Sequence, residues 1–445
     1  MSKQNSVVIV IGGGVAGLAA ARNLARAGLR VVLIEARKRI GGRVYTQVDH
    51  SSPVPIEYGA EFIHGKPREL FEIVEASRLL LCDATERHWF FENGKLSRSG
   101  DFWQKLDALF DQMKLTQPDV SFAEFLRQLP EDAETKRAKS IATKYVQGFH
   151  AADVNRAGVH GLIKANEAEE ETAGEKSFRV ISGYSGVVHA LAEDSKKHGV
   201  EIHLDTVAQE IRWSSGRVQV ICANHHGMPS FTGTALVLTL PLGVLQAPPG
   251  QAGAIRFVPQ LPAHKLDAIH GVLMGNVIKL NLHFRRRFWE DLKLPNVEED
   301  LSDLGFVHYQ DAVLPTWWTL LPVRAPVLVG WAGGPDADAA LKRGEQAIVQ
   351  QGIASLSRIL GISEKRIESQ LGAAHFHDWG ADSFSRGAYA YLPVNGVPAQ
   401  QALAKPIEKT LFFAGEATAE GHIGTVHGAI MSGERAAREV LERSP

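Results

Sequence analysis

The residues of this chain whose types and spacing suit chemistry fall in four places. Near the start, an apolar run of five residues leads into Gly12-x-Gly14-x-x-Gly17, and a second apolar run, VVLIE, ends on Glu35, 23 residues beyond Gly12. Gly12 allows a tight turn, Gly14 lets backbone N–H groups approach a pyrophosphate, and Gly17 lets a helix pack closely on a strand. Val15 opens that helix, whose N-terminus offers partial positive charge to phosphates. Glu35 suits a ribose diol. Arg37, Gly41, Gly42 and Arg43 follow at once and suit a second phosphate contact, because arginine carries a permanent charge and a planar fork of donors. The second place is GAEFIHG (Gly59–Gly65), where Glu61 and His64 stand among small residues. The third is Lys279, in the alternating segment VIKLNLHF. Taken alone, it reads as a strand residue with a solvated head. The fourth is the segment from Thr410 to Ala437, where Gly415-Glu416 ends a strand and Gly424-Thr425-Val426 opens a helix. That is a second helix N-terminus able to face a phosphate or an electron-rich ring.

The elements that must position these groups follow from periodicity. Residues 1–80 read as strand, glycine turn, helix and strand, then a loop rich in turn residues. From about 85 to 175 the pattern is mostly helical, with DFWQKLDALFDQM and SFAEFLRQL as amphipathic pieces. The acidic run Asn166–Glu175 breaks that pattern and reads as a solvated loop. A turn, a helix and two strands follow to about 213, then the buried strand Ala235–Pro241. The end of the chain returns to strand (TLFFAGE) and helix. The simplest account is an α/β fold: a Rossmann-like dinucleotide-binding domain, discontinuous in sequence (1–80, 181–245 and 372–445), and an α+β substrate domain with a mixed sheet (81–180 and 246–371).

Composition bounds the rest. The 445 residues suit two or three domains, and a hydrophobic fraction of 44% gives ample core. A net charge of −2 argues against a nucleic-acid partner. Two cysteines, Cys82 and Cys222, exclude a disulfide framework, have no metal-type spacing, and favour a reducing, cytoplasmic setting. MSKQNS lacks a signal-peptide pattern, no stretch reaches the ~18 apolar residues of a membrane span, and the C-terminal AAREVLERSP reads as a charged helix.

Six motifs in order, GGGVAGL, EAR…GGR, GAEFIHG, GNVIKL, HDWGADSFSRGAYAYLP and FAGEAT…GTVHGAIMSG, span the chain. Together they resemble the flavin amine oxidases, which include monoamine oxidases, polyamine oxidases and flavin histone demethylases. The resemblance implies FAD as the dinucleotide. It implies that Glu35 holds the adenosine ribose, that Arg43 with Gly59 and Ala60 lies along the cofactor, and that Val207 meets the adenine. Glu416 is then near the ribityl-pyrophosphate portion, and Thr425 and Val426 begin the helix pointing at the flavin ring. Lys279 becomes the catalytic residue, contacting flavin N5 through a water. Ala388 stands where monoamine oxidases carry a cysteine bonded to the flavin, so the FAD is expected to be non-covalent. Tyr389 matches one wall of the family's aromatic cage, Thr425 stands at the second wall, and Trp379 matches the tryptophan beside the flavin.

By the same resemblance, His64 contacts a substrate nitrogen. Glu61 departs from the residue usual there, and either pairs with a cationic amine or holds the backbone of its loop. The expected reaction is oxidation of an amine carbon, with hydride passing to the flavin, imine hydrolysis, and dioxygen as acceptor giving hydrogen peroxide. Polyamines such as spermine, spermidine or acetylated forms are the expected substrates. Monoamine and L-amino acid oxidases are the enzyme rivals, and a flavin-bound binding protein is the rival of another class. The histone demethylases carry added helical modules for which this length leaves no room.

Overall fold

The computed structural model describes residues 7–442 except 50–51, 85–86, 99–101, 116, 175, 295–296 and 298–299. MSKQNS, Glu175 and the final residues 443–445 lie outside the described residues. Five apolar residues form strand β1 (Val7–Ile11), the glycine turn leads into helix α1 (Val15–Arg26), and strand β2 (Arg30–Ile34) returns. Both strands are apolar throughout their buried length, as both faces of a parallel sheet require. The sheet runs in the order Glu201–His203, β2, β1, Ala235–Leu238, Leu411–Phe413, and every neighbouring pair is parallel. Helix α1 lies on one face together with the helices Ser185–Lys197 and Val426–Glu442. A four-stranded sheet built from Val207–Ser214, Arg217–Ala223, Ser230–Gly233 and Arg256–Val258 lies on the other.

A second large sheet has seven strands, in the order Leu371–His375, Val277–Phe284, Val327–Gly333, Thr316–Trp318, Phe306–His308, His88–Glu92, Lys95–Arg98. It is mixed, because Phe306–His308 runs parallel to His88–Glu92 while the sheet's other neighbouring pairs are antiparallel. The helices Phe102–Phe110, Phe122–Gln128 and Ala133–Phe149 pack beside it. A small three-stranded sheet pairs Phe62–His64 and Leu81–Asp83 with Ser177–Val180, so it joins the GAEFIHG segment to a strand more than a hundred residues away.

Two expectations are corrected. The acidic run is helical as far as Glu171, within the helix Val159–Glu171. Val159, Leu162 and Ala168 bury one face while Glu167, Glu170 and Glu171 stay exposed. The apolar stripe therefore prevails over the charge of the run, and only Thr172–Gly174 turn away. The alternation in Val277–Phe284 gives a strand, but not one with a solvated polar face: all eight residues are buried. Lys279, Asn281 and His283 are covered by the chain around Glu57–Glu61 and by His375. No helix among the described residues is long and apolar enough to cross a membrane.

Candidate active site

One cavity of about 800 Å³ joins most of the residues selected from sequence. At its nucleotide end, β1 stops at Ile11 and the chain turns through Gly12, whose φ of +110° excludes ordinary side chains. A Cβ on Gly17 would sit 1.9 Å from the Gly12 carbonyl oxygen, so only glycine lets α1 approach the turn. Gly14 and Gly42 face each other, and a Cβ on Gly14 would meet nothing nearer than the Gly42 Cα at 4.0 Å. The buried Glu35 carboxylate accepts the N–H of Gly13 at 2.7 Å and of Arg37 at 2.8 Å. Burial raises its pKa, and these two bonds oppose the rise. Arg37 reaches Asp382 at 2.6 Å and Ser385 at 2.9 Å, which ties this turn to the C-terminal part of the chain. Val207 and the start of its strand line the same end.

Arg43 occupies the next stretch. Its Nη2 donates to Glu416 at 2.9 Å, and the other oxygen of Glu416 accepts the Gly424 N–H at 3.0 Å. Its Nη1 is buried and has no partner. The Arg43 carbonyl accepts the Ala60 N–H, and a Cβ on Gly59 would lie 1.8 Å from that oxygen. An unpaired buried guanidinium N–H, two glycines facing across open space and a helix N-terminus are what an anionic dinucleotide needs. The residues present fit FAD: Gly12, Gly14, Val15, Glu35, Arg43 and Glu416 would hold it.

Farther along, Lys279 lies 4% exposed on its strand. Its Nζ donates to the Gly59 carbonyl at 3.1 Å and lies 2.6 Å from Glu61 Oε2. The other Glu61 oxygen accepts from Arg179 Nε at 2.7 Å and from Trp318 Nε1 at 3.2 Å. Burial alone would push the Glu61 carboxyl up, but Lys279 and Arg179 hold it down at about 2. Glu57, four residues earlier on the strand Ile56–Glu57, has no ion pair of that kind among the described residues. Burial pushes it up to about 7, against the pull of Lys279 and its bonds from Tyr184 N–H and Thr46 hydroxyl.

Tyr389, Trp379, His64 and Thr425 line the same cavity. The Tyr389 hydroxyl donates to the Phe149 carbonyl, and burial raises its pKa. Trp379 is buried and donates to the Tyr58 carbonyl at 3.1 Å. His64 stands edge-on to Phe149 at 5.4 Å, with its Nδ1 3.3 Å from the Ser177 hydroxyl. Burial lowers its pKa to about 4, so the imidazole is neutral. The Thr425 hydroxyl donates to the His422 carbonyl and accepts the Gly428 N–H, so it caps the helix that Val426 opens.

Four participants escaped the sequence reading. Arg179 and Trp318 hold Glu61, while Phe149 and Trp331 wall the cavity. Trp331 lies directly across the strand pair from Lys279 and donates to the Gly148 carbonyl. The one usable signal was an arginine inside the short apolar strand Ser177–Val180, since a buried guanidinium demands a carboxylate.

A model of the family described as flavin containing amine oxidoreductase matches residues 15–441. The chain is 29% identical to a probable polyamine oxidase 4 of Arabidopsis thaliana, over 100% of this chain and 90% of that one. It is 30% identical to polyamine oxidase 3 of Oryza sativa subsp. japonica, over 98% and 90% respectively. A lysine-specific histone demethylase 1 homolog of Arabidopsis thaliana is 27% identical over 98% of this chain, which spans 30% of that relative. Among solved structures, a wild-type putrescine oxidase bound to putrescine superposes with a TM-score of 0.81 at 21% identity, covering 98% and 99% of the two chains. A cyclohexylamine oxidase from Brevibacterium oxydans does so with a TM-score of 0.80 at 20% identity. The turn that cradles a dinucleotide, the orphaned Arg43 N–H and a match that runs from α1 almost to the C-terminus converge: this chain belongs to the flavin-containing amine oxidoreductases, and it is an FAD-dependent enzyme, its cofactor held non-covalently, that oxidises amines.

Proposed function

We propose that the substrates are polyamines, with dioxygen as the electron acceptor and hydrogen peroxide as the product. When bound, FAD supplies the chemistry by accepting the hydride lost from the carbon beside an amine nitrogen. In this reading Lys279 is the catalytic cation. Tyr389 and Trp331 flank the reacting amine, and the neutral His64 accepts or donates a hydrogen bond to a substrate nitrogen.

The observation that carries the reading lies in the same cavity. Asp107, Asp111 and Glu170 all line it. The Asp107 carboxyl is raised by burial and by the charges of Asp111 and Glu170, so these carboxylates lie close enough to repel one another. Lys144, which lines the same cavity, is paired with Asp336 at 2.7 Å. Crowded carboxylates are relieved by a cation. A ligand with amino groups spaced along an alkyl chain places one at the reacting end and the next among these acids. Relatives named as polyamine oxidases support the same substrate class.

The test is Asp107→Asn combined with Glu170→Gln. Each partly exposed charge is worth ~0.3–1 kcal/mol to a bound cation. KM for spermine is expected to rise roughly three- to thirtyfold at low salt, with kcat little changed, while KM for a monoamine such as benzylamine moves less than about twofold. An equal effect on both amines, or turnover of benzylamine with none of spermine, spermidine or their acetylated forms, would overturn the reading.

A further inference from the structure

The cationic amine that Glu61 pairs with in this structure is the chain's own. All four hydrogen-bonding contacts of its carboxylate neighbourhood are internal: Lys279 on Oε2, Arg179 and Trp318 on Oε1, and the Gly59 carbonyl on the far side of Lys279. Arg179 is itself immobile. Its remaining nitrogens donate to the carbonyls of Leu321 at 3.0 Å and Thr319 at 3.3 Å, and its guanidinium lies over the Phe62 ring at 4.4 Å. An ammonium group has three donors. Glu61 and Gly59 take two, which leaves one for the cavity that Lys279 lines.

We propose that Glu61 is a positioning residue: anchored by Arg179 and Trp318, it fixes Lys279 in one rotamer, keeps it cationic, and leaves a single N–H directed to the reacting end of the cavity. A lysine on a flexible four-carbon stem, buried without a carboxylate, loses its proton readily and has no fixed direction. This arrangement removes both freedoms. It also takes Glu61 out of direct substrate binding, so substrate charge is met elsewhere in the cavity. The inference rests on the proposed catalytic place of Lys279, and its test is separable from that reading because it needs no turnover.

The experiment is a double-mutant cycle on the FAD-bound protein: wild type, Glu61→Gln, Lys279→Met, and the two together, read by thermal melts and by the visible flavin spectrum against pH. The groups facing Lys279 are Glu57, Glu61 and Arg179. Glu57 is present in all four proteins, so only changes that depend on both residue 61 and residue 279 count. If Glu61 acts through Lys279, each single variant lowers Tm and the double variant is no lower than the worse single. Glu61→Gln then gains a pH-dependent change in the flavin spectrum that vanishes in the double variant and is absent in Glu61→Asp. Additive losses of Tm, a Glu61→Gln spectrum that tracks wild type across pH, or a transition that survives in the double variant would each overturn the proposal. If Glu61→Gln yields no soluble protein, the same cycle is run with Glu61→Asp, which keeps a carboxylate for Arg179: a double variant no lower in Tm than the worse single supports the pairing, and additive losses refute it.

Discussion

Removing the Arg43 guanidinium separates two functions that the structure assigns to one side chain. Arg43→Met keeps most of the aliphatic bulk and deletes the charge. The first consequence is structural. Glu416 is 6% exposed, with one oxygen on Arg43 and the other on the Gly424 N–H. A buried carboxylate deprived of its cation costs ~3–5 kcal/mol, so the apoprotein should melt markedly lower. The second consequence concerns the cofactor. Arg43 Nη1 is buried without an acceptor, and a buried charged donor left unpaired carries a desolvation cost of ~1–3 kcal/mol. An arriving phosphate or ribityl oxygen relieves it. A charge-assisted hydrogen bond is worth ~1.5–3 kcal/mol, so the FAD Kd should weaken roughly 10- to 150-fold. The companion Arg43→Met/Glu416→Gln removes the stranded charge. It should restore most of the apoprotein Tm and none of the FAD affinity. Titration of apoprotein into FAD, followed by flavin fluorescence, gives Kd, and melts with and without FAD give the stability. A Kd within threefold of wild type in both variants would show that Nη1 does not face the cofactor.

Two further outcomes follow from the same geometry. Lys279→Met should slow flavin reduction or reoxidation at least about tenfold, ~1.4 kcal/mol of barrier; unchanged rates for both half-reactions in stopped flow would remove Lys279 from catalysis. Stability should also fall in mild acid. Burial holds His64, His88 and His150 at about 4 and His308 and His427 at about 3, against ~6.5 in the unfolded chain. Below that value the unfolded chain binds protons the folded one does not, so stability is full above ~6.5 and drains away toward 4, by ~1–2 kcal/mol per histidine at pH 5. Glu57, raised to about 7, acts the other way, because its stabilisation is lost as pH rises through 7. Five histidines outweigh the raised carboxyls of Glu57, Glu35 and Asp107, so Tm at pH 5 should lie at least ~5 °C below that at pH 7, and an equal or higher Tm would contradict the burial of these rings.

The nucleotide half was readable because its signals are local. A five-residue apolar strand, three glycines at fixed spacing and an acid at the end of the next strand all lie within 29 residues, from Val7 to Glu35. Lys279 was readable only by resemblance, since its strand alone reads as half solvated. What covers its polar face is the segment around Glu57 and Glu61, more than two hundred residues earlier in the chain. No period or spacing reports that contact. Arg179 and Trp318 were missed for the same reason: Glu61 gathers both only where the three-stranded sheet meets the seven-stranded one. The acidic helix was misread for a different reason. Charge run and apolar stripe overlap in Asn166–Glu171, and composition drew attention to the charge, although a stripe with a solvated acidic face is an ordinary amphipathic helix.

The segment between β2 and the strand Phe62–His64 has a further property that no single contact conveys. Arg37 is bound to Asp382, Arg43 to Glu416, and Glu61 to both Arg179 and Lys279. Each tie reaches from this one stretch to a remote part of the chain, and each is buried or nearly so. Buried ion pairs contribute little net stability over apolar packing, because desolvation offsets most of the attraction. Their distinguishing property is intolerance of misplacement: a partner shifted by an ångström strands a charge. Apolar contacts would join the same surfaces and permit sliding. The stretch that brings the glycine turn, Arg43 and Lys279 into one frame is thus fastened by interactions that admit one register. On this argument, replacing the pairs by well-packed apolar residues would leave a folded protein whose site had lost its alignment.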